Sequence, residues 1–396
     1  MRAAVDSIAR ADVRLHAWTF LDTNATETPY PHGPLANVAF GVKDIIDVRQ
    51  MPTRLGLLEH APLARSDAWC VAALRAAGAV PIGKTATTAF AWRDPAPTRH
   101  PTVDDVTPGG SSSGSAAAVA AGHVAFALGT QTIGSTLRPA AYCGVVGFKS
   151  TFGIVPVHGV APLAPSVDHV GIIARDVAMA TRCAAIFDAT LAPDATLRVE
   201  MRSTPRLGFA VAAFAGDVGP EATVALARLA DAARAAGAYV DDVTLPAPFF
   251  ATFEPLEALV AYEAFAVHAA WCDVALPPEL AALLERGASE SASVHARTLG
   301  FRRDSRATID AALAPFDAVM LAVAGPAPDR GTTGGARPVA PATFYGIPAI
   351  SIPIARNARG LALGVQLIAR SGEDARLLAV ARWLEGVVRF DSIDAC

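Results

Sequence analysis

Charged side chains are scarce in this chain, and they form no basic block. Lys and Arg number 33 and Asp and Glu 37 among 396 residues, which gives a formal net charge of −4. Binding to nucleic acid or to an anionic membrane surface requires clustered Lys and Arg side chains. We therefore expect neither nucleic acid nor a membrane among the partners of this protein.

Cysteine and histidine are too few and too scattered to suggest metal or thiol chemistry. The chain contains no CxxC pair and no HExxH motif. Zinc sites depend on such closely spaced ligands, so we expect no metal and no catalytic cysteine, and nothing else in the sequence calls for a cofactor. An odd number of cysteines in a long chain is typical of buried, reduced thiols. The five are Cys70, Cys143, Cys183, Cys272 and Cys396.

The sequence also lacks a long uninterrupted apolar run. The nearest approach, residues 116–128, is interrupted by Gly122 and His123 and is shorter than the ~18 residues of a membrane-spanning helix. Charges at Arg2 and Asp6 argue against an N-terminal signal peptide. We therefore expect a soluble, cytoplasmic protein.

Apolar material is abundant and is arranged in alternating strand-like and helix-like segments. Hydrophobic residues make up 52% of the chain, which is enough for a large buried core. Such alternation predicts an α/β fold, with a central mixed or parallel sheet covered by helices on both faces. We predict a single domain over residues 1–396, in which residues 197–330 form a possible lobe after a change of composition at 189–205.

The individual elements follow from the periodicity of the apolar residues. Predicted strands lie at residues 38–43, 79–83, 142–148, 153–157, 206–211, 316–321, 347–354 and 364–368, and predicted helices at residues 67–77, 116–121, 220–236 and 374–388, with helical spacing also within residues 1–20.

A cluster of glycines and serines at residues 109–115 leads directly into an alanine-rich helical run. Glycines let the backbone approach another group closely, and free amides at a helix N-terminus favour negative charge. A flexible linker is the alternative. The segment is short, however, and apolar sequence follows it at once, so we interpret it as part of a site within the core.

A second cluster of small residues, 129–135, ends at Ser135. A loop of this kind can present backbone N–H groups around a hydroxyl, as the stabilisation of a tetrahedral oxyanion requires. Taken alone, the segment is better interpreted as a tight loop between a helix and a strand. Its pairing with the first cluster favours a functional site.

Lys43 ends the apolar strand predicted at residues 38–43 and is followed by Ile45 and Ile46. A surface lysine at a strand end is one interpretation, and the apolar neighbours favour burial as the other. Burial lowers the pKa of an amine, and a neutral lysine can take a proton from a serine hydroxyl. The sequence therefore contains the parts for acyl transfer without histidine, cysteine or metal.

Two other patterns suggest chemistry but lack the context for it. Residues 78–85 match the GxxxxGK[ST] phosphate-binding pattern around Lys84, but a predicted helix precedes the segment and its apolar centre predicts a strand. We therefore expect no nucleotide binding. Asp168 and His169 are adjacent, which disfavours a catalytic relay with Ser135, and we expect them to stabilise a loop by hydrogen bonds.

Together these segments resemble the amidase signature family. The resemblance is carried by GVKDIIDV at residues 41–48, GAVPIGKT at 78–85, TPGGSSSGSAAAVA at 107–120 and GVVGFKSTFG at 144–153. It covers residues 30–180 densely, as the catalytic signature core, and returns more weakly at 346–351 and 364–367.

The resemblance implies a large mixed sheet wrapped by helices and a Ser–cisSer–Lys triad that needs no cofactor. Carried over by motif, Ser135 is the nucleophile, Ser111 is the bridging serine at a cis peptide bond, and Lys43 is the base. The family's further site residues also map onto this chain. Those implied for the oxyanion hole, beside the amide of the nucleophile, are Thr132, Ile133 and Gly134, and those implied for substrate contacts are Gly109, Gly110, Ser112 and Gln131.

Three residues depart from the family's pattern. Gln131 stands where many relatives have aspartate, Ile133 where many have glycine, and Ser113 replaces a glycine of the signature. Gln131 removes a charge beside the active loop. Ile133 keeps its backbone N–H but does not readily adopt a positive φ.

The predicted function is hydrolysis of the C–N bond of a small-molecule amide through a serine acyl-enzyme. The alternative is a non-hydrolytic or ammonia-delivering subunit of an amidotransferase complex. The resemblance also implies that a homodimer is possible.

Overall fold

The computed structural model describes residues 2–23, 32–191, 204–210, 212–272 and 275–388, and an eleven-stranded sheet forms its centre. The strands are β1 Trp18–Leu21, β2 Ala39–Lys43, β3 Val80–Thr85, β4 Phe126–Gln131, β5 Val146–Lys149, β6 His169–Ala174, β7 Arg206–Phe209, β8 Tyr239–Asp242, β9 Ala318–Ala322, β10 Ala349–Arg356 and β11 Ala362–Ile368. Their order across the sheet is β1-β3-β2-β4-β6-β5-β10-β11-β9-β7-β8.

The sheet is mixed, as the sequence predicts. Strand β2 pairs in parallel with β3 and β4, and β7 pairs in parallel with β8 and β9. The remaining neighbours are antiparallel. The central strands β4, β6 and β11 are buried along their whole length, which is expected of strands covered on both faces.

Helices flank the sheet. Those in the described residues are α1 Arg2–Leu15, α2 Trp69–Ala76, α3 Ser113–Ala120, α4 Leu137–Cys143, α5 Val177–Phe187, α6 Ala215–Ala235, α7 Ala247–Phe250, α8 Phe253–His268, α9 Pro278–Ser289, α10 Ala292–Leu313, α11 Ala340–Phe344 and α12 Asp374–Val388. In the described ranges, no helix combines the length and the apolar character needed to cross a bilayer.

Most predicted elements are present within a few residues of their expected bounds. Strands β2, β3, β7, β9, β10 and β11 and helices α1, α2, α3, α6 and α12 confirm the predictions made for their segments. Helix α6 begins five residues before the predicted start and is interrupted at Gly219, whose φ is 77°. The regular helix resumes at Pro220, a residue suited to the first turn of a helix.

The strand predicted at residues 142–148 is wrong in its first half. Tyr142 and Cys143 close helix α4, and Gly144 ends that helix in the left-handed conformation with a φ of 71°. Only residues 146–149 form a strand. All seven residues of α4 are buried, so the helix has no polar face and its sequence shows no amphipathic period.

The strand predicted at residues 153–157 is also wrong, since this segment forms turns. Gly153 has a φ of 87°, and Pro156 has no N–H to donate to a ladder. The loop predicted at residues 129–135 is shorter than expected, because residues 129–131 complete β4. The lobe predicted at residues 197–330 stays a prediction, and part of the composition change before it lies outside the described residues.

The parallel pairing of β2 with β4 determines where chemistry can take place. Val42 of β2 lies opposite Leu128 of β4, so both strands end at the same edge of the sheet. Phe40 and Phe126 stack face to face beneath that edge, with ring centroids 5.0 Å apart. The carboxyl ends of parallel strands are the usual place for binding sites in α/β sheets.

Candidate active site

Lys43 is the last residue of β2, and its side chain is completely buried. Its Nζ lies 2.7 Å from Ser111 Oγ and 2.7 Å from Thr130 Oγ1. No carboxylate forms an ion pair with it in the described part of the chain. Burial therefore lowers the pKa of Lys43 well below its ordinary value, and the more distant charge of Asp168 offsets only part of the shift.

Ser111 follows a cis peptide bond between Gly110 and Ser111, as the resemblance implies. The backbone before it is closely enclosed, because a Cβ on Gly109 would lie 2.9 Å from Pro139 Cα. Arg138 Nη2 donates a hydrogen bond to the carbonyl of Gly110 at 2.7 Å. The segment is therefore a fixed part of the core, and the flexible-linker alternative is wrong.

Ser135 lies in the loop between β4 and α4, and 8% of its surface is exposed. It lines a cleft of about 290 Å³, counting the open mouth, together with side chains that include Trp92, Arg93 and Leu163. The backbone N–H of Ser112 donates to the carbonyl of Ser135 at 3.3 Å, so the two serine-bearing loops are directly joined. No hydrogen bond joins the Ser111 and Ser135 hydroxyls to each other in the residues that the structure describes.

The loop of residues 132–135 carries four backbone N–H groups that donate to no acceptor within the described residues. The next two N–H groups, of Thr136 and Leu137, are both taken by Gln131 Oε1, at 3.0 and 3.1 Å. Thr132, Ile133, Gly134 and Ser135 all line the cleft. The arrangement can therefore offer main-chain donors to a negatively charged oxygen beside the Ser135 hydroxyl.

The departure at Ile133 does not strain this loop. Ile133 is not among the described residues with a positive φ, so its side chain is compatible with the backbone conformation. Its Cβ-branched side chain is buried. The substitution of glycine by isoleucine therefore leaves the main-chain donors in place.

The substrate contacts implied for four residues stay a prediction. Gly109, Gly110, Ser112 and Gln131 are all buried, and none of them belongs to the lining of the cleft as the described residues define it. The Ser112 hydroxyl bonds to the backbone N–H and carbonyl of Thr130, each at 3.3 Å. These residues shape the two loops from behind.

Asp168 and His169 stabilise backbone, as the sequence suggests. Asp168 Oδ1 accepts a hydrogen bond from Thr132 Oγ1 at 2.6 Å, and its Oδ2 accepts from the N–H groups of Leu163 and Ala164. The ring nitrogens of His169 contact the carbonyl of Val167 and the amine of a buried lysine. Among the hydrogen bonds of the described residues, none joins either side chain to Ser135.

The phosphate-binding interpretation of residues 78–85 fails on its structural context. Helix α2 precedes the segment, and residues 80–85 form strand β3. Lys84 is completely buried, and its Nζ lies 3.1 Å from Asp44 Oδ1 and donates to the carbonyl of Pro52 at 2.9 Å. Its amine is therefore fully engaged inside the protein.

Sequence reasoning missed three residues that support the site. Thr130 contacts Lys43, Arg138 contacts Gly110, and Thr343 contacts Gln131. Of these three, only Arg138 could have been noticed in the sequence, because it is a cation within a run of small and apolar residues. In the described residues, no group of three or more His, Cys, Asp or Glu side chains is placed to hold a metal ion.

Comparisons with known proteins agree with this geometry. The family model described as Amidase matches residues 10–378. One subunit of the mitochondrial glutamyl-tRNA(Gln) amidotransferase of Drosophila pseudoobscura pseudoobscura is 31% identical over 399 residues, covering 83% of this chain and 78% of that protein. The corresponding glutamyl-tRNA(Gln) amidotransferase subunit of Exiguobacterium sibiricum is 40% identical over 193 residues, covering 45% of this chain and 40% of that protein.

Solved structures share the fold over nearly the whole chain. A crystal structure of an amidase superimposes with a TM-score of 0.87 and 30% identity, covering 98% of this chain and 95% of that one. The native peptide amidase from Stenotrophomonas maltophilia gives a TM-score of 0.80 at 27% identity, covering 98% and 93%. The chain therefore belongs to the amidase signature family and is an amide hydrolase that acts on carbon–nitrogen bonds other than peptide bonds.

Proposed function

We propose that this protein hydrolyses the C–N bond of a small-molecule amide through a covalent acyl-enzyme on Ser135. The observation that carries the proposal is the 2.7 Å contact between Lys43 Nζ and Ser111 Oγ in a fully buried environment. In the part of the chain that the structure describes, no carboxylate pairs with this amine, and burial without such a partner favours the neutral form of Lys43. It is therefore available as a base for the adjacent hydroxyl.

Acylation begins when Ser135 Oγ forms a bond to the amide carbon. The proton of Ser135 passes to Ser111 Oγ, and the proton of Ser111 passes to Lys43 Nζ, which becomes an ammonium. The carbonyl oxygen gains the negative charge and accepts hydrogen bonds from the N–H groups of residues 132–135. Hydrogen bonds of such a relay commonly tighten only when substrate is bound.

The tetrahedral intermediate then collapses and its C–N bond breaks. The departing nitrogen takes a proton that returns from Lys43 through Ser111, so the amine leaves neutral and the base is restored. Water next attacks the ester of Ser135 by the same proton route. The products are a carboxylic acid and ammonia or an amine.

Substitution of the three residues tests the proposal. Ser135→Ala, Ser111→Ala and Lys43→Met should each lower kcat by at least about 10⁴-fold on a panel of aliphatic, aryl and urea-type amides, because the members of such a unit act together. Ammonia release is the readout, and circular dichroism checks the fold. Ser289→Ala, at the exposed end of α9, is the matched control and should turn over at the wild-type rate. Robust activity in Ser135→Ala would contradict the proposal.

The second candidate is a subunit that releases ammonia from an amide and delivers it within an amidotransferase complex. It is favoured by the amidotransferase names of the relatives that match this chain. Purified protein should release ammonia from amides unaided if the first proposal is right, and only with added partners if the second is right. A homodimer also stays a prediction, which light scattering after size-exclusion chromatography measures.

A further inference from the structure

The side chain of Gln131 is completely buried at the end of β4 and is hydrogen bonded at both ends. Its Oε1 accepts from the N–H groups of Thr136 and Leu137. Its Nε2 donates to Thr343 Oγ1 at 2.9 Å. A flipped carboxamide would set two N–H donors against two backbone N–H donors, so these neighbours allow only one orientation.

The direction of this hydrogen bond determines the next one. Thr343, in α11, is buried, and its hydroxyl has a single proton. Because Gln131 Nε2 can only donate, that proton is free for another acceptor. Thr343 Oγ1 donates it to the carbonyl of Ile133 at 2.8 Å. The result is a directed chain of hydrogen bonds from Gln131 through Thr343 to the loop beside Ser135.

The carbonyl of Ile133 belongs to the peptide unit that also carries the N–H of Gly134. In a planar trans peptide these two groups point in opposite directions. The carbonyl is tied toward α11, so the N–H of Gly134 faces away from that helix, and it has no acceptor among the described residues. Gly134 itself lines the cleft of Ser135. Close packing keeps this peptide in place, since a Cβ on Gly134 would lie 2.4 Å from Val339 Cγ2.

We propose that Gln131 and Thr343 are positioning residues that aim the Gly134 N–H at the oxyanion formed during acylation. This inference rests on the proposed function and adds to it two residues that do not touch the substrate. It also explains what a neutral carboxamide does at position 131. A carboxylate there would still accept from Thr136 and Leu137, but it would draw the Thr343 proton to itself and leave the Ile133 carbonyl untied.

The test compares Thr343→Val, which removes the hydroxyl at nearly constant shape, with Thr343→Ser, which keeps it. Thr181→Val is the matched control, because the Thr181 hydroxyl is also buried and donates to a backbone carbonyl at 2.8 Å, but in the distant helix α5. Two rates are measured for each protein. They are kcat and KM on the best amide of the panel, and the rate at which a fluorophosphonate probe labels Ser135, followed by mass spectrometry.

The probe reports on the same oxyanion site without needing a known substrate. In its reaction a bond forms between Ser135 Oγ and phosphorus, the P–F bond breaks, fluoride leaves, and the serine proton passes to Lys43. Loss of a whole oxyanion donor costs about 10²–10³-fold in kcat. A misaimed donor should therefore cost Thr343→Val about 10- to 100-fold in kcat and in labelling rate, with little change in KM, while Thr343→Ser recovers most of both rates.

The outcomes separate this inference from the function on which it rests. If Thr343→Val is labelled and turns over like Thr181→Val, the positioning role is overturned and the acyl-enzyme proposal stands. If Thr343→Ser is as slow as Thr343→Val, the hydroxyl is not the cause and the inference also fails. If wild-type protein is not labelled at Ser135, the proposed function itself is overturned.

Discussion

The pH dependence of acylation gives the most direct test of Lys43. The amine must be neutral to accept a proton, and burial lowers its pKa well below the ordinary 10.5. As the pH falls through that lowered pKa, Lys43 becomes protonated and the base is lost. Because one proton is involved, kcat/KM should fall about tenfold for each pH unit on this acid limb and level off above it.

The hydrogen bond between Thr130 and Lys43 determines how far the acid limb should shift when Thr130 is substituted. Thr130 Oγ1 lies 2.7 Å from Lys43 Nζ and accepts a hydrogen bond from the ammonium form. Such bonds to charged groups contribute about 1.5–3 kcal/mol, and one pKa unit corresponds to about 1.4 kcal/mol. Thr130→Val should therefore move the acid limb about one to two units toward lower pH. Thr130→Ser retains the hydroxyl and should leave the limb in place.

The assay is the second-order rate of Ser135 labelling or of ammonia release, measured at constant ionic strength from about pH 5 to 10. Lys43→Met should show only a low rate without the limb. An acid limb that persists unchanged in Lys43→Met would refute the assignment of Lys43 as the base. A limb that stays in place in Thr130→Val would refute the argument from the hydrogen bond.

Two further predictions concern buried cations near the site. Lys84→Met leaves the Asp44 carboxylate buried without its ammonium and should lower the free energy of unfolding by about 3–5 kcal/mol in urea titrations. A loss under about 1 kcal/mol would contradict this prediction. Arg138→Met removes the hydrogen bond to the Gly110 carbonyl. The loss should misplace Ser111 and lower kcat by about 10- to 100-fold. A kcat within about threefold of the wild type would show that Arg138 does not hold the Ser111 loop in place.

The fold was predictable wherever burial leaves a periodic or continuous apolar pattern. Strands β2, β3, β9, β10 and β11 are apolar runs of five to eight residues bounded by turns, and the sequence predicts them as strands. The sequence prediction for helix α4 is wrong because every residue of this helix is buried. Its apolar pattern therefore does not differ from that of the strand that follows. Tertiary burial, rather than local propensity, decides such segments.

The site was predictable as a set of residue types but not as a geometry. Lys43 and Ser111 are 68 positions apart, and no spacing rule brings them to 2.7 Å. The partner of Gln131 is more remote still, since Thr343 follows it by 212 residues. A buried threonine in a short helix carries no local sign of that contact. Only the packing of α11 against the loop after β4 reveals it.

The lysine and the serine loop extend from neighbouring strands that are bonded to each other in parallel. The distance between the lysine and the serine loop is therefore determined by the main-chain hydrogen bonds between β2 and β4. Small rearrangements at the protein surface should change this distance little. On heating, turnover should persist until that ladder itself melts, so inactivation and loss of β-sheet signal should follow a single curve.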